Sequence, residues 1–319
     1  MPFCVEDFVA ATFTPMKENG NVNLEAIDGY QKFLTEQEIK LVYVNGSTAE
    51  GTSLTTEERK QIAEKWVTLS QIPGREMKVL IQVGGTNFKE TIELTEHAAA
   101  IGADAISTLA PLYFTPNSVD DLVEYCKRVA DKAPNLPLYY YHIPDRTGVR
   151  FDMEQFLNKS RNVIPNLRGI KFSSKDLYEG CRCLRTLDAN GDNYDLLFGC
   201  DEQVISAFAI GFKGAIGSTY SLIPRVYHKL KQALKEGRLD DARRYQYKSV
   251  DLVKVCFEFG SVTGGLLPAM KVVLTKLGVD IGPPRYPMVP LDDATQKQLV
   301  ERLQEIGFFD WWSGKEEQQ

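Results

Sequence analysis

Short apolar runs alternate with amphipathic stretches along almost the whole chain. Eight runs have the length and aliphatic character of buried strands: FVAATF (8–13), KLVYVN (40–45), KVLIQV (78–83), DAISTLA (104–110), LPLYYYHI (136–143), RGIKFS (168–173), DLLFGC (195–200) and GAIGST (214–219). Between them the apolar spacing turns helical, as in NLEAIDGYQKFLTE, TTEERKQIAEKWVTLSQ, FKETIELTEHAAAIG and SVDDLVEYCKRVADKA. Thr55 with Glu58 three residues on reads as a capping box opening the second of these. Gly102 follows the third, where a left-handed C-terminal cap belongs.

Eight strand–helix units in succession predict a parallel sheet with helices outside it. Eight is also the number that closes a (β/α)8 TIM barrel. Strands rich in Val, Ile, Leu and Ala suit burial on both faces. An open doubly wound sheet is the competing fold, and no G-x-G-x-x-G follows the first strand to support it. Three helical stretches come after the eighth strand: DDARRYQYKSVDLVKVCFEFG, LLPAMKVVLTKLG and DDATQKQLVERLQEIGFF. The expectation is an α/β fold, a barrel over residues 1–237 with a C-terminal three-helix extension over 238–319, forming one structural domain.

Composition narrows the function classes. The 319 residues are 43% hydrophobic and 25% charged, ordinary for a globular protein. A net charge of −6 offers no basic face for nucleic acid. Apolar runs fall short of the roughly 18 residues that mark a membrane span. The start MPFCVEDFVA is acidic and lacks an apolar signal core, so a cytoplasmic protein is expected. Cys4, Cys126, Cys181, Cys183, Cys200 and Cys256 form no C-x-x-C pair and read as reduced thiols. His97, His142 and His228 are too dispersed to suggest a catalytic zinc, so no metal is expected.

Barrel enzymes carry their chemistry at the C-terminal ends of the strands. Those ends read NGSTAEGTSL, APLYFTP, YYYHIPDRTG, FGCDEQ and IGSTYS, and strand 6 carries Lys171 between Ile170 and Phe172. A lysine in an apolar setting is costly to charge, so burial favours its nucleophilic neutral amine. Neighbouring strands lie about 5 Å apart, which lets Tyr141 on strand 5 face Lys171 as a proton-transfer partner. Alternation places Tyr139 on the same face, so register alone does not choose between the two tyrosines. The turn G-S-T-A-E reads as a helix entry, where backbone N–H groups with the Ser47 and Thr48 hydroxyls can hold a carboxylate. Amine, phenol and carboxylate nest together describe a site for an α-keto acid.

GSTAEG, YYHIP, GIKFS, GCDE and GSTYS, in this order at these strand ends, resemble the N-acetylneuraminate lyase subgroup of the dihydrodipicolinate synthase superfamily of class I aldolases. The resemblance covers nearly the whole chain from about residue 7. It implies a barrel that cleaves N-acetylneuraminate into pyruvate and N-acetylmannosamine through a lysine imine, with no cofactor. By this resemblance Lys171 forms the imine, and Tyr141, placed before H-I-P, moves the protons. Ser47 and Thr48 bind the pyruvate carboxylate, and Ser173 joins the substrate contacts. Tyr113 matches a tyrosine that reaches a neighbouring subunit's site in a homotetramer, a dimer of dimers. Asp201, Glu202 and Ser218 hydrogen-bond the sugar hydroxyls, and Gly199 leaves room for the polyol.

Simpler readings stand beside these. Lys171 alone fits a strand lysine snorkelling to the rim, Asp201 and Glu202 fit acids that favour a helix dipole, and His142 fits a structural histidine. One residue departs from the subgroup: Arg146 stands where its members usually carry an apolar side chain, and where dihydrodipicolinate synthases bind a substrate carboxylate by arginine. A guanidinium there suits a carboxylated aldehyde, unless a nearby acid neutralises it. A related pyruvate-dependent aldolase or synthase with another aldehyde, such as a 2-keto-3-deoxy sugar acid aldolase, is therefore an alternative. A silent barrel that only binds a keto acid is the second.

Overall fold

The computed structural model describes residues 3–191, 194–260 and 265–314. Eight parallel strands close into a barrel: β1 (Phe8–Ala11), β2 (Leu41–Val44), β3 (Lys78–Gln82), β4 (Ala105–Leu109), β5 (Leu138–His142), β6 (Leu167–Phe172), β7 (Asp195–Phe198) and β8 (Gly214–Gly217). The seam between β8 and β1 pairs Val9 with Ile216. Helices return the chain outside it: α1 (Ala26–Glu36), α2 (Thr56–Ser70), α3 (Phe88–Ala100), α4 (Val119–Ala130), a four-residue α5 (Pro144–Thr147), α6 (Met153–Ser160), α7 (Leu177–Asn190), α8 (Val204–Ala209) and α9 (Pro224–Lys235). The capping box at Thr55 and Glu58 opens α2, and Gly102 takes φ 81° just beyond α3.

Each expected strand runs one or two residues past the end of the observed hydrogen-bonded ladder. The overrun has a physical cause. Phe13, Val83 and Ala110 remain buried beyond the ladder, so hydropathy continues where pairing stops.

Alternation divides each strand between two cores. One face packs against the helices, through residues such as Val42, Ile106, Ile170 and Phe172. The other fills the lumen with Val9, Ala11, Tyr43, Leu80, Leu109, Tyr139, Tyr141, Leu197 and Ile216. At the N-terminal end of the lumen the Tyr139 hydroxyl donates to Asp195 Oδ2 at 2.5 Å, and Arg168 donates to Asp195 Oδ1 at 3.3 Å. That network plugs the bottom of the barrel and leaves the other end open.

Among the described residues the C-terminal extension holds four helices where three were expected: α10 (Leu239–Glu258), α11 (Leu267–Lys276), α12 (Asp293–Glu305) and α13 (Phe308–Ser313). Gly307 at φ 68° breaks the last expected helix in two, and α13 then buries Phe308 and Trp311. Among the described residues no helix is long and apolar enough to cross a membrane.

Candidate active site

Lys171 points into the lumen. Its neighbours in sequence, Ile170 and Phe172, pack outward among the helices, so strand alternation carries the lysine inward. The residue is 4% exposed. Its Nζ stands 4.0 Å from the centre of the Tyr43 ring and 3.9 Å from that of Tyr141. Burial pushes the amine below the usual lysine value, against the opposing pull of the Tyr141 hydroxyl and the Asp201 carboxylate. The two ring faces favour the ammonium and work in the same sense as that pull.

Register distinguishes the two tyrosines by position. Tyr141 pairs directly with Lys171 across β5 and β6, whereas Tyr139 pairs with Gly169 lower in the barrel. The Tyr141 hydroxyl also meets Ser47 Oγ at 3.3 Å. His142 faces outward, tilted against Phe172 with ring centres 5.4 Å apart, and its burial pushes its pKa down to about 4.

The segment carrying Ser47 and Thr48 is not a helix entry. It is a tight turn, closed by Glu50 N–H donating to Ser47 O and Gly51 N–H donating to Gly46 O. A short 3-10 turn follows at Gly51–Ser53, and α2 begins only at Thr56. Left-handed Asn45 and Glu50 bracket the turn, at φ 60° and 59°. Any anion there is met by turn N–H groups and hydroxyls, without the dipole of α2 behind them. Thr48 Oγ1 lies 2.6 Å from Ser218 Oγ, which links the strand-2 and strand-8 rims.

The remaining expected residues fall around the same opening, with one exception. Asp201 sits at the start of a 3-10 turn and is buried. Its Oδ2 accepts from Thr219 N–H at 2.9 Å and Thr219 Oγ1 at 2.6 Å. Burial outweighs those bonds and raises its pKa to about 6. Glu202 lies 3.8 Å from Lys175. Gly199 is required by a neighbour: a Cβ there would stand 1.9 Å from Ser173 Oγ, so its bareness accommodates Ser173. Arg146, on α5, lines the mouth, and among the described residues no acid neutralises it, since Asp145 pairs with Arg150 at 2.8 Å. Tyr113 is the exception. It is 86% exposed on the loop after β4, outside this pocket, with φ 70° and its ring edge-on to the exposed Phe114.

These groups line a cavity of about 300 Å³ that Lys171 floors. Several residues around it carry no local signal in the sequence. Tyr43 lies in an ordinary apolar strand run, yet its ring faces Lys171 from within the lumen. Thr219, which orients Asp201, was hidden beside Ser218. Val253, Phe257, Leu266 and Met270 of the extension close one side of the mouth, a contact between distant segments that local pattern does not reveal. Among the described residues no group of three His, Cys, Asp or Glu side chains is arranged to hold a metal ion.

Fold and site together define a (β/α)8 barrel with a desolvated lysine in its lumen and a phenol on the adjoining strand. Residues 5–306 match the model of the dihydrodipicolinate synthetase family. The chain is 39% identical to N-acetylneuraminate lyase of Gallus gallus over 95% of its own length and 96% of that protein. It is 37% identical to N-acetylneuraminate lyase of Homo sapiens over 95% and 93%. Among solved structures it resembles Proteus mirabilis N-acetylneuraminate lyase, with TM-score 0.88, 36% identity and coverage of 94% and 98%. The sialic acid aldolase of Aliivibrio salmonicida is similar to it with TM-score 0.87, 36% identity and coverage of 96% and 97%. The chain belongs to the dihydrodipicolinate synthetase family.

Proposed function

We propose that this protein is a Schiff-base aldolase, a carbon–carbon lyase that reversibly cleaves N-acetylneuraminate to pyruvate and N-acetylmannosamine. The observation that carries this reading is the pairing of buried Lys171 with Tyr141 beneath a cavity that hydroxyl and carboxylate side chains share with apolar ones, in a chain similar over nearly its whole length to N-acetylneuraminate lyases. The neutral Lys171 amine attacks the C2 ketone of the open-chain sialate, and loss of water leaves an imine. Once protonated, that imine draws the electron pair of the breaking C3–C4 bond into an enamine. Tyr141, having given its own proton to the hydroxyl that leaves as water during imine formation, takes the proton from the C4 hydroxyl as the aldehyde forms. Protonation of the enamine at C3 and hydrolysis then release pyruvate and regenerate the amine. Ser47 and Thr48 hold the substrate carboxylate, and Ser47 also orients the Tyr141 hydroxyl. Ser173, Asp201, Glu202 and Ser218 face the sugar portion. The six free cysteines suit a reducing, cytoplasmic setting. We further infer a homotetramer in which the exposed Tyr113 completes a neighbour's site.

Arg146 favours a second reading, in which the aldehyde carries its own acid group. A guanidinium at the mouth with no acidic partner among the described residues suits a bidentate carboxylate contact. Steady-state kcat/KM for N-acetylneuraminate cleavage, set against pyruvate condensation with aspartate semialdehyde, separates the two. The sialate is expected to be preferred. Arg146→Leu is then expected to raise kcat/KM for the sialate relative to the acid aldehyde. Preference for the acid aldehyde overturns the first reading, and an unchanged ratio in Arg146→Leu removes the specificity role of the arginine.

A further inference from the structure

The turn that carries Ser47 and Thr48 is tied from behind by the C-terminal extension. Glu50 ends that turn, with a left-handed backbone and a side chain wholly out of solvent. Its Oε1 lies 2.8 Å from Lys271 Nζ on α11, whose side chain is 2% exposed. The same ammonium donates to Thr14 O at 3.0 Å and Pro283 O at 2.8 Å. Glu50 Oε2 accepts from the backbone N–H of Arg285 at 2.7 Å. The Arg285 guanidinium then clamps Glu58 and the carbonyls of Gly20 and Ser53. Thr14, already bound to Lys271 through its carbonyl, donates Oγ1–H to Ala49 O at 2.7 Å. Gly51 fits because a Cβ there would stand 2.0 Å from Asn45 O.

A desolvated ion pair is a poor general source of stability, because removing two charges from water offsets most of their attraction. What it supplies well is a fixed geometry, since a buried carboxylate must keep its donors. The backbone fixed here lies two and three residues from Thr48 and Ser47. We propose that Glu50 and Lys271 form a positioning pair, through which the C-terminal extension sets the turn so that its donors meet the carboxylate of the bound keto acid. The inference rests on the aldolase reading above. It makes the extension part of the substrate site, beyond its role as packing on the barrel.

Borohydride trapping of two ketones at limiting concentration tests it. Pyruvate uses both the Lys171 amine and the carboxylate site, whereas acetone uses the amine alone. Glu50→Gln keeps the shape of the side chain and removes its charge. It is expected to lower the pyruvate adduct at least about tenfold, as ångström-scale misplacement of a binding group does, and to leave acetone trapping unchanged. Thr14→Val, nearly isosteric, removes the bond to Ala49 and is expected to shift the same ratio less. A pyruvate-to-acetone ratio equal to that of the wild type in Glu50→Gln overturns the positioning role, whether both adducts fall or neither does. If Glu50→Gln does not fold, an unchanged ratio in Thr14→Val overturns it instead. Wild-type protein that traps no pyruvate sinks the aldolase reading itself, a distinguishable failure that takes the positioning role with it.

Discussion

Lys171 and Asp201 are two ionisable groups held where ionisation is costly, and the same desolvation drives them in opposite directions. Burial discourages the ammonium of Lys171 and the carboxylate of Asp201 alike, so the amine becomes a nucleophile and the acid holds its proton longer. For Asp201 the consequence is measurable. Its folded pKa of about 6 lies above the ordinary value of 3.8. The stability this group contributes is therefore complete below about pH 4 and is lost as pH rises through 6, by about 3 kcal/mol in all. Asp201→Asn keeps an oxygen for the two Thr219 donors and has no proton to lose. Its melting temperature is expected to gain on that of the wild type between pH 4 and 7.5. A gap that stays constant over that range contradicts a raised Asp201 pKa.

At the scale of elements, the sequence shows which residues share a face better than where elements stop. Eight strands, their parallel order and the barrel follow from eight apolar runs separated by helical pattern, because each buried strand must be nearly continuous in hydropathy. The pairing of Tyr141 with Lys171 follows from adjacency of β5 and β6 once register is known, but register itself is tertiary. The start of α2 was legible because Thr55 and Glu58 are a local device. The turn before it was misread as a helix entry, since its shape depends on Thr14, Lys271 and Arg285, two of which lie more than two hundred residues away. Gly199 shows the same limit: the Ser173 side chain that excludes a Cβ there comes from another strand end. Gly307, by contrast, was a visible breaker inside the last helical pattern and was passed over.

At the scale of the molecule, the barrel closes its bottom with Tyr139, Arg168 and Asp195 and opens its top beneath α10 and α11. Tyr113 and Phe114 stand outside that opening, 86% and 83% exposed, an arrangement that suits burial against a second copy of the chain. Sedimentation is expected to give a tetramer. Tyr113→Phe, which removes only a hydroxyl, is expected to lower kcat/KM about three- to tenfold, the usual worth of one hydrogen bond. A fully active monomer contradicts this assembly.

The central claim is that the Lys171 amine captures a 2-oxo acid covalently. Peptide mass spectrometry after incubation with pyruvate and borohydride tests it most directly. The account predicts a single reduced adduct, an Nε-carboxyethyl group on Lys171, and none in Lys171→Ala, which also loses turnover. An adduct on another lysine, or turnover that survives in Lys171→Ala, contradicts it.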